Sequence, residues 1–402
     1  MASFHDPVAR RLGDLQNALL EFIRLEATSA IVLLVVTALA LIVANSPWGG
    51  AYEAALELKL GPSWLRLTAG HWINDSLMAV FFMLVGLEIK REVVAGALSS
   101  LQQAALPLVA ALGGVLAPAA IYVAISAGNA EALPGWATPV ATDIAFALGI
   151  LALVGPSAPS SLKVFLTALA VLDDLLVVLI IVLLYTGEGS ALYLLFAGIG
   201  LAVLIGMNRL GVSLVSVYLL IGAIVWFCVL RSGVHPTLAG VLVAFTVPMD
   251  SDRDDAAASP LHRLEHALHP WVAWLVVPVF AFANAGVSFS EISWAMVTGP
   301  ICIGIVAGLF LGKQLGILSS AWIATRLGIA RPPGDTTFRH IHGVATVCGV
   351  GFTMCLYIAS LAFDTEAQED AAKIGVLVGS LLSGLVGYIA LRSASRQSAA
   401  PR

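Results

Sequence analysis

Charge is scarce in this chain of 402 residues. Asp, Glu, Lys and Arg together supply 11% of it, against 59% apolar residues and a mean hydropathy of +0.95. That excludes an ordinary soluble domain, in which about a quarter of the residues are charged. Long polar stretches are also rare, which excludes a large extramembrane domain. Cysteine is limited to Cys228, Cys302, Cys348 and Cys355, all in apolar runs and without zinc-type spacing. A disulfide framework is thereby excluded, and the four read as core packing. The net charge is −5 and the one sizeable acidic cluster, Asp250 to Asp255, reads as a solvated loop, so nothing points to nucleic acid. The stretch before Ser29 is charged, too long for a signal-peptide n-region and followed by no small-residue cleavage site. It reads as a cytoplasmic surface helix.

What the chain does have is long apolar runs, and nearly the whole length must lie in the bilayer as helices of about 20 residues. Runs broken by Gly, Pro and charge place spans at Ser29 to Asn45, Trp72 to Leu87, Ala104 to Ser126, Trp136 to Leu153, Leu162 to Tyr185 and Leu192 to Met207. Six more follow: Val212 to Leu230, Val234 to Val247, Pro270 to Ala285, Met296 to Leu318, His342 to Phe363 and Ile374 to Leu391. The fold class is therefore an all-α integral membrane protein of about twelve transmembrane helices. Residues 29–391 form one transmembrane domain, between a segment at 1–28 and a tail at 392–402. Within it, Ser46 to His71, with a Gly61-Pro62 turn, reads as an outward-facing hairpin or an irregular loop, and residues 248–269 as a charged loop and helix start. Most Lys and Arg fall on one side of this layout, with only Lys59, Arg66, Arg231 and Lys373 opposite. Basic residues are retained on the cytoplasmic side, so both termini are expected there.

Inside the apolar segments the ionisable residues are few: Asp75, Glu88, Asp143, Asp173, Asp174 and Lys313. Such residues face a bundle interior or a water-filled path and mark an ion or substrate route by default. Asp75 and Glu88 also fit helix ends that reach the interface. Asp173 and Asp174 are near the middle of their span, where adjacent positions on a helix point about 100° apart. One can face a cavity while the other faces a partner helix. Lys313 is the candidate partner, because an unneutralised Lys at the bilayer centre costs about 2.5–3.5 kcal/mol.

Two spans look interrupted. Asp143 stands in Ala141-Thr142-Asp143-Ile144, preceded by Pro139, and the eleventh span carries Gly343, Gly349 and Gly351 around Cys348. Paired interrupted spans, one in each half, are the best sequence pointer to a transporter site. Each break leaves helix-dipole ends in a low dielectric, and Asp143 and Lys313 are expected to offset them. The residues by themselves thus reach a carrier of a small cation. If a cation binds only when the carboxylates are ionised, cation and proton compete for one site, which gives antiport without covalent chemistry; hard oxygen ligands suit Na⁺ or Li⁺. A carrier of an organic anion on the same architecture is the alternative. An intramembrane aspartyl protease requires Tyr-Asp and Gly-x-Gly-Asp contexts that are missing, and a channel requires a ring of ligands.

His262, Glu265, His266 and His269 follow the i, i+3, i+4, i+7 spacing of one helix face. The first three also satisfy an H-x-x-E-H zinc-protease pattern, but no soluble domain is present to supply a further ligand.

Ala141-Thr142-Asp143-Ile144-Ala145-Phe146-Ala147-Leu148-Gly149, the Asp173-Asp174 pair after Ala168-Leu169-Ala170, and Gly351-Phe352-Thr353-Met354 resemble the bacterial NhaA-type sodium/proton antiporters. The resemblance extends through Trp72-Ile73-Asn74-Asp75, Gly86-Leu87-Glu88, Gly233-Val234-His235, Leu264-Glu265-His266 and Phe280-Ala281-Phe282-Ala283-Asn284-Ala285-Gly286. These motifs run in order from the second span to the eleventh, so the resemblance covers most of the chain.

The resemblance implies twelve helices with inverted repeats in spans three to five and ten to twelve, crossing at discontinuous fourth and eleventh helices. It implies that Asp173 and Asp174 bind Na⁺ or Li⁺ and exchange protons, that Lys313 pairs with Asp173, and that Asp143 with Thr142 serves the fourth-helix break. Glu88, Glu92, His235, Glu265, His266 and His269 become pH-sensing candidates, imidazole titration near neutrality being the physical reason for the histidines. Electrogenic exchange activated at alkaline pH, a homodimer among membrane lipids and a place in the bacterial inner membrane are also implied, with no cofactor. One local departure follows Asp174-Leu175, where Leu176-Val177 is bulkier than the small residues expected.

Overall fold

The computed structural model describes residues 28–155, 158–185, 189–249, 259–290, 292–334 and 336–399. The expected N-terminal surface helix, the acidic cluster from Asp250 to Asp255 and the end of the tail lie outside the described residues. Among the described residues, twelve helical spans follow one another. Eight helices are each long and apolar enough to cross a membrane, or up to ten spans if each of two bent pairs counts as one. The other two fall short for visible reasons. The second, residues 69–94, carries Asp75, Glu88, Lys90, Arg91 and Glu92, and the eighth, Thr237–Thr246, has only 10 residues.

Several helices outrun the apolar stretches that announced them. The tenth span is Trp294–Arg326 and the twelfth helix Glu366–Ala399, each extending beyond the expected ends. Apolarity marks the hydrocarbon depth, whereas backbone hydrogen bonding continues a helix into the polar interface. The eighth span is instead shorter than expected. Gly233, in the left-handed conformation at φ +82°, ends the seventh span, Val215–Ser232, and Pro236 then opens the eighth. At its other end, the Lys90 ammonium donates to the carbonyls of Phe245 at 2.8 Å and Val247 at 2.6 Å. Those carbonyls have no partner within their own helix, so the second span caps the eighth.

The segment from Ser46 to His71 is a hairpin rather than an irregular loop. Helix Gly49–Glu57 turns 108° away from the first span, Thr28–Ala44, and short antiparallel strands Lys59–Leu60 and Leu67–Thr68 pair Lys59 with Thr68 and Leu60 with Leu67. Elsewhere, polar caps start helices where the sequence supplies a hydroxyl. Ser100 accepts from Gln103 N at 3.3 Å, and Ser259 accepts from His262 N ahead of Pro260. Thr337 and His340 form a reciprocal box at the start of the eleventh span.

A close approach brings the third and tenth spans together. The third span, Leu101–Ile125, packs along the tenth, and a Cβ at Gly113 would strike the Gly316 carbonyl while one at Gly316 would strike that of Gly113. Only hydrogen at both positions lets the backbones meet. The tenth span also contains a π-helical stretch, Gly308–Gly312, immediately before Lys313. Such a stretch resets the helical phase and is frequent at functional sites. In the fifth span, Ser160–Leu184, Val177 is fully buried in the core and Leu176 packs against it, so the bulkier pair is accommodated.

Candidate functional site

The fourth and eleventh spans are both broken near their middles, and the breaks meet. The fourth consists of a 3-10 segment, Leu133–Val140, an extended link at Ala141 to Asp143, and helix Ile144–Val154. The eleventh is Phe338–Val347 and Phe352–Ala362, bent by 48°. Pro139 and the glycines at 349 and 351 explain the positions of the breaks, because each interrupts the run of residues that extends a helix readily. The open backbone is then satisfied across the crossing. Asp143 N donates to the Val350 carbonyl at 2.7 Å, and the Thr142 hydroxyl donates to the Cys348 carbonyl at 2.8 Å.

Asp143 serves two helices. As N-cap of Ile144–Val154 its Oδ1 accepts from Phe146 N at 3.2 Å, while Oδ2 accepts from Thr353 N at 3.1 Å and from the Thr353 hydroxyl at 2.5 Å. The carboxylate thus faces the positive ends of both trailing half-helices. This revises the expectation that Asp143 and Lys313 divide the breaks between them. Lys313 lies near Cys348 and Cys355 at the eleventh-span break, but its hydrogen bond goes to the fifth span. Ser380, on the twelfth helix, accepts from Gly351 N at 3.3 Å and Phe352 N at 3.2 Å, completing the cap of the second half-helix.

Asp173 and Asp174 differ sharply. Lys313 Nζ donates to Asp173 Oδ2 at 2.6 Å, and both side chains are fully buried. Thr142 lies beside the same carboxylate. Asp174 is 1% exposed, and neither of its oxygens has a hydrogen-bond partner. Asp173, Glu88, Asp143 and Lys313 are the charged groups around it. A bare ionised carboxylate in that setting is strongly disfavoured, so Asp174 requires either a proton or a cation. Both are exchangeable particles, and the oxygens present form a hard donor set suited to an alkali cation.

The pH-sensing candidates do not form one cluster. Arg91 joins Glu265 at 2.7 Å and Glu92 at 3.0 Å, tying the end of the second span to the start of the ninth, Pro260–Asn284. Glu92 also accepts from Ala97 N at 2.9 Å. The helix face expected for His262, Glu265, His266 and His269 is divided in burial: Glu265 is buried, His262 and His269 are half-buried, and His266 is exposed. His262 is hydrogen-bonded to the Ser259 hydroxyl at 2.8 Å. Among the described residues no three His, Cys, Asp or Glu converge on a point, so the H-x-x-E-H pattern builds no zinc centre. His235 belongs to the opposite end of the eighth span, where it meets Thr237 at 2.9 Å and the Tyr357 hydroxyl at 2.9 Å. Glu88 is half-buried near the Asp pair.

Sequence reasoning missed Ser380 and Arg91 as partners and quoted Thr353 only within a motif. A hydroxyl on an apolar helix carries no signal of its own, and neither does an Arg at a helix end. A pairing between a break and a residue 210 positions away is visible only once the spans cross.

Broken helices that cross at mid-span, with buried carboxylates beside the crossing, define a multi-pass membrane carrier of the discontinuous-helix class. The family profile described as Na⁺/H⁺ antiporter 1 matches residues 20–391, and the chain belongs to that family. It is similar to the Na⁺/H⁺ antiporter NhaA of Bordetella parapertussis, 54% identical over 378 residues that cover 92% of this chain and 95% of that protein. It is also similar to the NhaA of Nitrobacter hamburgensis, 51% identical over 377 residues, 94% of this chain and 91% of that one. The NhaA of Caulobacter vibrioides is 48% identical over 383 residues, with 95% and 92% covered.

Proposed function

We propose that this protein exchanges Na⁺ or Li⁺ for protons across the bacterial inner membrane, with both termini cytoplasmic, and so governs cytoplasmic pH and sodium. The observation that carries this reading is Asp174, buried without a hydrogen-bond partner next to the ion-paired Asp173. With a proton, Asp174 is neutral and compatible with its apolar walls. Without one, it binds a dehydrated alkali cation shared with Asp173. Because one carboxylate cannot hold both, Na⁺ and H⁺ displace each other, and alternating exposure of the site turns competition into exchange. Asp173 contributes through Lys313: when a cation takes over its charge, the ammonium loses its partner, which couples a second protonatable group to Na⁺ binding. More than one proton per Na⁺ makes the exchange electrogenic. A homodimer is the assembly proposed for it.

Glu265, held by Arg91, together with Glu92, His266 and His269, forms the proposed cytoplasmic pH-responsive junction between the second and ninth spans. A change of charge at this junction alters how firmly the two helix ends are tied.

The test is Na⁺-induced collapse of a preset pH gradient in everted vesicles. Asp174→Asn is expected to lower exchange by roughly two orders of magnitude, the equivalent of losing about 3 kcal/mol of charge-assisted binding. Full exchange by that variant at saturating Na⁺ and alkaline pH would sink the proposal. Glu265→Gln is expected to move the activity profile along pH more than it lowers the maximal rate. An unmoved profile would remove the junction from the mechanism.

A further inference from the structure

A cavity of about 1160 Å³ opens between the tenth, eleventh and twelfth spans, apart from the carboxylate site. Its wall is apolar along Leu318, Phe338 and Ala390, and among the described residues no acidic side chain lines it. Arg326, in the last turn of the tenth span, and Arg339, in the first turn of the eleventh, stand at one end with His342 between the helices. Arg326 stacks its guanidinium on Trp322 at 5.3 Å. Trp322 and Leu315 are 49% and 60% exposed on the outward wall, so the groove faces the surrounding lipid.

This layout has a depth order. Two guanidinium groups and an indole occupy the interfacial level, where such residues concentrate, and the aliphatic wall continues below them at hydrocarbon depth. The complementary molecule has an anionic head and a long apolar tail. We propose that the groove binds an anionic phospholipid, with its phosphate between Arg326 and Arg339 and an acyl chain along Leu318 and Ala390. Basic pockets between spans on the positively charged side of a membrane suit such headgroups. A zwitterionic lipid fits less well, because its ammonium adds positive charge to a groove already lined by two arginines. Bidentate geometry favours arginine for gripping phosphate. The proposal stands independently of the antiport reading, since its readout is lipid retention.

The experiment is native mass spectrometry of the delipidated full-length protein titrated with phosphatidylglycerol or with phosphatidylcholine of identical chains. The wild type is expected to retain phosphatidylglycerol preferentially, and the double substitution Arg326→Gln/Arg339→Gln to weaken that retention roughly tenfold or more. A control removing equal charge outside the groove, Arg263→Gln/Arg331→Gln, is expected to leave it unchanged. Ala390→Trp, which fills the acyl track while keeping both arginines, is expected to weaken retention as well. Millimolar inorganic phosphate should not displace the lipid. Equal retention of the two lipids by the wild type, or undiminished phosphatidylglycerol binding by the arginine variant, overturns the proposal. So does displacement by free phosphate, which would mean a simple anion site. Loss of a dimer in the arginine variant with lipid retention intact would assign the groove to a second copy and likewise overturn it.

Discussion

Asp143 and Asp174 are both buried in the middle of apolar spans, yet their surroundings are opposite. Asp143 accepts three hydrogen bonds, two of them from backbone N–H groups at helix starts, whereas Asp174 accepts none. A carboxylate given fixed donors has its oxygens satisfied by the protein itself and serves structure. One denied them depends on whatever particle the solution supplies. Sequence position alone makes the two look alike, and the contrast lies in what crosses each of them. Asp173 is intermediate, with one oxygen on Lys313 and the other lacking a hydrogen bond.

The comparison breaks most visibly at its intermediate member. Removing the ammonium with Lys313→Gln strands Asp173, and loss of one partner from a buried pair costs about 3–5 kcal/mol. Thermal unfolding in detergent should show this loss most strongly at alkaline pH, because a lone buried carboxylate sheds its charge only by taking up a proton. A variant equally stable at pH 6 and pH 9 would deny the ion pair its role.

Next comes the direct contrast. Asp143→Ala removes a cap and the partner of Thr353, and is expected to lower stability by about 2–3 kcal/mol. Asp174→Ala should leave stability unchanged or raise it, since an unpartnered polar group is lost. Transport is expected to fail in both, but only the Asp143 variant should melt earlier. Equal melting temperatures would erase the distinction between a structural and an exchangeable carboxylate.

The smallest effect sharpens the structural side. Ser380→Ala deletes the acceptor for Gly351 N and Phe352 N and should cost about 1 kcal/mol, with a faster amide hydrogen exchange confined to the start of Phe352–Ala362. Ser380→Thr, which keeps the oxygen, should restore protection. Uniform exchange across the eleventh span in the alanine variant would show that the twelfth helix does not cap it.

Much of this was readable beforehand, for reasons that differ residue by residue. The membrane class follows from composition, since only helices or closed barrels satisfy a backbone in lipid. Both interruptions were legible because Pro139, Gly349 and Gly351 resist helix locally. Lys313 stood out because no loop claimed it. The helix ends were less legible, as with Trp294–Arg326, because hydropathy reports the depth of the hydrocarbon and not the reach of the hydrogen-bond ladder. Ser46 to His71 fits either of two forms by sequence, and the pairing of Lys59 with Thr68 makes it a hairpin. His235, a pH-sensing candidate alongside Glu265, lies at the other end of the eighth span, hydrogen-bonded to Tyr357.

The sequence by itself determined that the chain crosses a membrane repeatedly, that two spans are broken, and which few charges had to be explained. Those are consequences of local composition and of the cost of charge in lipid, which need no neighbour to be evaluated. Only the tertiary structure decided how the charges divide their work. Asp143 finds Thr353 and Asp173 finds Lys313 across 210 and 140 residues of chain, while Asp174 finds no donor. Hydrogen bonds act over about 3 Å, so which carboxylate is satisfied and which is left to a cation or a proton depends on where the broken helices cross.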